Sequence, residues 1–109
     1  MSYYTTVCYF GSKINKNNII KTVTKKEWNY FVNLYIKNKF NSFTTCSKNI
    51  GYWNGNKELT HTLTLIHQKD NNIMNDIINI AKKYSNLYEQ DEILINTVKN
   101  TSTVYIKFD

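Results

Sequence analysis

The chain has 109 residues, a formal net charge of +6, and neither arginine nor proline. That length carries one domain, residues 1–109, with a modest core. Without the planar guanidinium fork, bidentate reading of guanine or phosphate is missing, and the lysines are scattered rather than clustered, which argues against sequence-specific nucleic-acid binding. Asn, Lys and Ile (17, 14 and 13 residues) have A- and T-rich codons. The composition therefore reads as that of a low-GC bacterium, its phage or a large DNA virus. The positive charge follows from it, although the field still favours a small anion. No apolar run approaches the ~20 residues of a membrane span. Two cysteines without a secretory signal read as reduced thiols, so a cytoplasmic location is expected.

Residues 3–10, Tyr-Tyr-Thr-Thr-Val-Cys-Tyr-Phe, have a period of two and end at Gly11, predicting the first strand. Residues 12–23 are polar and read as a long loop or flap. Thr24 with Glu27 forms a capping box, and Val23 is placed to staple against Trp28. The helix predicted over 25–39 carries a stripe of Trp28, Phe31, Val32, Tyr35 and Ile36, widened by Tyr30 and Leu34.

A second strand is predicted over 43–52 and a third over 57–67. Asn54-Gly55 joins them, because it tolerates the positive φ of a type I′ turn. On the third strand Leu59, His61, Leu63, Leu65 and His67 should face the helices, leaving Thr60, Thr62, Thr64 and Ile66 on the open face. A second helix is predicted over 73–84, capped from Asp70, Asn71 or Asn72. The last strand, 93–98, breaks at Lys99–Ser102 and resumes over 103–108. Val104, Ile106 and Phe108 then face the helices, with Tyr105 on the open face. The order predicts a ferredoxin-like split β-α-β domain (β-α-β-β-α-β): a four-stranded antiparallel sheet, order 4-1-3-2, with two helices on one face.

His67 closes the third strand, where an imidazole can act as acid, base or ligand anchor. His61 lies six residues away, about 20 Å at ~3.3 Å per residue, so the two cannot share a metal. No set of residues has zinc spacing, and neither metal nor cofactor is expected. Glu89, Gln90, Asp91 and Glu92 form the acidic cluster, and Tyr9, Trp53 and Tyr105 are aromatics suited to a planar ligand. No nucleophile motif or glycine-rich phosphate loop occurs.

Several short motifs resemble a domain-of-unknown-function family of small bacterial and viral proteins. They are Tyr9-Phe10-Gly11, Glu27-Trp28 with Phe31, Phe40 with Phe43-Thr44, and Gly51 with Trp53. Leu63-Leu65-Ile66-His67 and Tyr84 with Tyr88, Gln90, Ile93 and Leu94 continue the pattern. The chain departs from it at Tyr88-Glu89-Gln90, where the family more often shows a Phe-Gly-Gln-like turn. The resemblance implies a ferredoxin-like α+β domain, names no activity, and draws attention to His67, Trp53 and Gln90.

The expected function is a small ligand-binding module, oligomeric through the sheet face bearing Thr60, Thr62, Thr64 and Tyr105. It would hold an anionic or planar, nucleotide-like molecule, as a viral sequestering protein could. The expected site comprises His67, Trp53, Gln90, Tyr9 and Tyr105. Two alternatives stay open: a small dimeric α/β-barrel-type enzyme pairing His67 with Glu89 or Glu92, and a protein-interaction subunit without a small ligand.

Overall fold

The computed structural model describes residues 2–16 and 19–108. In chain order the elements are β1 (Tyr3–Gly11), β2 (Lys13–Lys16), β3 (Ile19–Thr22), α1 (Lys25–Phe31), a π-helical continuation (Val32–Ile36), β4 (Thr44–Trp53), β5 (Asn56–Gln68), α2 (Asn71–Tyr88) and β6 (Leu94–Lys99). One antiparallel sheet has the order β4-β5-β1-β6, and β2 and β3 form a second sheet.

The ferredoxin-like plan of one four-stranded sheet is thereby corrected. The segment expected as a loop after β1 contains two strands, paired from Lys13↔Thr22 to Lys16↔Ile19. They pair antiparallel as a second, two-stranded sheet, so the element order is β-β-β-α-β-β-α-β. A resumed strand over 103–108 is absent as well. Val104, Ile106 and Phe108 are 72%, 69% and 88% exposed instead of facing the helices.

The local signals before α1 hold in detail. Glu27 N–H donates to Thr24 Oγ1 (3.1 Å) and Thr24 N–H donates to Glu27 Oε1 (3.2 Å), closing the capping box. Val23 and Trp28 are both buried, as a staple requires. The helix then departs from a plain 3.6-residue period. Its buried positions are Trp28, Phe31 and Ile36. The five-residue step to Ile36 matches the π segment, where Lys37 N–H donates to the Val32 carbonyl. Tyr30 and Leu34 are exposed rather than widening the apolar stripe.

The β4–β5 hairpin turns at Asn54 (φ 51°) and Gly55 (φ 78°), both left-handed as a type I′ turn demands. On β5, His61, Leu63, Leu65 and His67 are buried toward the helices. Leu59 is exposed and Thr60 is buried, against expectation. The β1 pairing ends at Gly11↔Thr60, so the hairpin beyond it projects past the helices and leaves Leu59 uncovered.

The core is aromatic. The Tyr84 ring lies 4.8 Å from Phe10 and 5.3 Å from Phe31, and Phe10 lies 5.1 Å from Trp28. Aromatic pairs of this kind add about 0.5–1.5 kcal/mol each to their area burial. The Tyr84 hydroxyl donates to the Gly11 carbonyl at 2.6 Å, and burial raises its pKa above the ordinary phenol value. This bond ties the end of β1 to α2. No helix among the described residues is long and apolar enough to cross a membrane.

Candidate functional site

At the end of β1 held by Tyr84, a wide cleft of about 1100 Å³ opens. Its floor is Gly11. A Cβ at that position would lie 2.5 Å from Glu58 Oε1 and 2.6 Å from Gln90 Oε1. A side chain there would have to displace the ends of both Glu58 and Gln90 from the strand end.

The aromatic wall is Tyr9 and Trp53, meeting edge-on at 6.5 Å. Tyr9 points to the helix-free face, since the alternate positions Thr6, Cys8 and Phe10 are buried beneath the helices. Trp53 ends β4 and lies over Gly51, where an added Cβ would sit 2.8 Å from its Nε1 and 2.7 Å from Thr60 Oγ1. Neither atom has a hydrogen-bond partner among the described residues.

The opposite wall comes from the turn after α2. Glu89 ends that helix with φ 53°, a left-handed position that glycine usually fills. The Gln90 side chain donates to the Lys13 carbonyl at 2.7 Å, linking this turn to β2. Glu58, Glu89, Asp91 and Glu92 all line the cleft, which gathers four of the chain's eight carboxylates. Lys13 is the lysine beside them. Burial raises the Glu58 pKa, opposed by the backbone amides of Lys13 and Ser12 and by the Lys13 charge.

Of the five residues expected to bind a ligand, three therefore come together: Tyr9, Trp53 and Gln90. His67 and Tyr105 lie elsewhere. His67 pairs with Tyr4 on β1 while Gly11 pairs with Thr60. Seven residues of strand, about 23 Å, separate His67 from the cleft. The expected pairing of His67 with Glu89 or Glu92 is not assembled within one chain. The physical reason is the length of α2. Eighteen residues carry the chain about 27 Å back along the sheet, so the connector reaches the opposite end from His67.

His67 is also fully engaged. Nδ1–H donates to the Gln68 carbonyl at 2.7 Å, and Nε2 faces Thr6 Oγ1 at 2.7 Å. Thr6 in turn meets Thr97 Oγ1 at 2.8 Å. Tyr105 is exposed and touches Tyr3 edge-on at 6.1 Å. Sequence reasoning missed Gly11, Glu58 and Lys13. The glycine ending β1 was the available signal for the floor, but Glu58 reads as an ordinary surface position until the register of β5 on β1 is known. Among the described residues no group of His, Cys, Asp and Glu could hold a metal ion.

A family model described as "Protein of unknown function (DUF3574)" matches residues 5–105. The chain belongs to the DUF3574 family. No curated protein sequence matches it. Among solved structures it resembles a phage SAM lyase in complex with S-methyl-5'-thioadenosine, with TM-score 0.58 and 10% identity over 95% of this chain and 93% of that one. It also resembles the de novo designed protein Foldit4, with TM-score 0.54 and 12% identity over 90% of this chain and 97% of that one. At these identities the likeness concerns the fold alone.

Proposed function

We propose that the DUF3574 chain binds a nucleoside-type ligand in this cleft: a planar base bearing hydroxyls and a neutral or positively charged substituent. One observation carries the reading, the convergence of Tyr9 and Trp53 with four carboxylates in a single concavity. Stacking of a base on such rings is worth about 1–3 kcal/mol. Ionised carboxylates accept hydrogen bonds from ribose hydroxyls and attract a nearby cation. The net charge of +6 favours an anion, but half of the acids sit around this cleft, and a local field outweighs a distant one screened within about 10 Å.

The phage SAM lyase, seen with S-methyl-5'-thioadenosine, supplies the ligand class to try first. No residue role or reaction is carried over from it. A sequestering protein of bacterial or viral origin needs only such binding. A second reading, a small enzyme, is favoured by Glu58, a half-buried carboxyl at the cleft floor whose pKa is raised by burial, since a carboxyl that holds its proton more tightly can serve as an acid.

Calorimetric titration with S-methyl-5'-thioadenosine, S-adenosylmethionine and ATP tests the proposal. The first two are expected to bind, ATP at least tenfold more weakly, and Trp53→Ala to lose binding. ATP binding as tightly as S-adenosylmethionine, or no binding by any of the three, overturns it.

A further inference from the structure

Residues 103–108, Thr-Val-Tyr-Ile-Lys-Phe, have the pattern of a strand and pair with none. Val104, Ile106 and Phe108 alternate with Tyr105 and Lys107, a period of two that gives a strand one apolar face. All three apolar members are more than two-thirds exposed.

The root of this segment is held firmly. Asn100 N–H donates to the Tyr3 carbonyl (2.9 Å), Thr5 Oγ1 donates to Asn100 Oδ1 (2.9 Å), and Asn100 Nδ2 donates to Thr103 Oγ1 (3.1 Å). The Tyr105–Tyr3 contact then sends the segment past the start of β1, not back along β6. A hairpin within its own chain is therefore not formed.

A fitting acceptor exists on the same molecule. β6 is an outer strand of the main sheet, so one of its edges is unpaired. Beside it, between α2 and the sheet, runs a groove of about 380 Å³ lined by Ile78, Ala81, Ile93 and Ile95 together with five polar residues, among them Lys82 and Asp91. A strand added to that edge would lay every second side chain over this groove.

We propose that residues 103–108 of one copy add as a strand to the β6 edge of a second copy, reciprocally. Each main sheet then has five strands, and Val104, Ile106 and Phe108 cover the partner's groove. The occupant is a second copy because one chain carries both donor and acceptor, the condition for a closed twofold pair. Two such strands, each about 20 Å long, give on the order of 1,000 Å² of contact, the lower bound of a specific interface. The pairing also covers an edge that is otherwise free to aggregate. The pairing needs no ligand in the cleft, although Gln90, Asp91 and Ile93 line both the groove and the cleft.

Light scattering on eluting protein at about 100 μM, a concentration ample for an interface of this size, provides the test. The full chain is expected to be a dimer. A chain ending at Ser102, and full-length Ile106→Asp as a check that needs no truncation, are expected to be monomers with unchanged circular dichroism. Amides 104–108 should be protected from hydrogen exchange in the dimer alone. A monomeric full chain, a segment protected in a monomer, or a dimer that survives both changes overturns the proposal.

Discussion

His61 shows how a titratable residue becomes a core component. Its Nε2–H donates to the Val23 carbonyl at 2.8 Å, and its Nδ1 faces the Ser47 hydroxyl at 3.0 Å. The ring is stacked on Trp28 at 5.1 Å, inclined by 5°. Burial holds its pKa below the ordinary histidine value, with the Val23 carbonyl and the Glu27 charge pulling weakly the other way. An unfolded histidine binds a proton near ~6.5, while the native one resists to lower pH. The native state thus holds fewer protons in that window, so the stability from His61 is full above about pH 6.5 and is lost as pH falls toward the folded value. The urea midpoint is expected to drop between pH 7.5 and 5.5, and His61→Gln to flatten that drop. A slope unchanged in the variant contradicts the assignment. Cys8 is a second core group, buried so that its thiol pKa is pushed up to about 12, which makes it inert.

Among the elements, those announced by local chemistry were legible. Thr24 with Glu27 places the start of α1, and Asn54-Gly55 places the hairpin turn, because each signal needs only its immediate neighbours. The β2–β3 pair was hidden because its two isoleucine-bearing halves are short and diluted by Lys and Asn. The exposure of 103–108 was not legible either, since alternation reports a strand's apolar face and not whether a partner covers it. Gly51 is the element-scale position on which the site depends. Its missing side chain leaves the space filled by Trp53 Nε1 and Thr60 Oγ1. Gly51→Ala is expected to push the indole outward and cost about 1–3 kcal/mol, the usual range for overpacking. Tryptophan emission should shift to the red while Trp28 stays buried. Unaltered emission and stability would show that the indole does not rest on Gly51.

At the scale of the whole molecule, the candidate site depends on which residues share one end of the sheet. Tyr9, Trp53 and Gln90 could be singled out from residue type and motif position, and they do meet. His67 could not be placed from the sequence, because its distance from the 89–92 turn depends on how far the 18-residue α2 travels. Glu58 and Gly11 become neighbours only through the register of β5 on β1. The same geometry gathers carboxylates on a basic protein, a separation of charge that net composition cannot report. The proposed nucleoside-type ligand would bind in the aromatic, acidic cleft. The two indole N–H signals report this directly, since Trp53 lines the cleft and Trp28 is sealed in the core. In a nitrogen–proton NMR titration with S-methyl-5'-thioadenosine, the Trp53 signal is expected to move with saturation, along with the amides of Gly11 and Gln90, while the Trp28 signal stays fixed. A Trp53 signal that stays still, or shifts that gather around His67 at the opposite end of the sheet, would contradict the account.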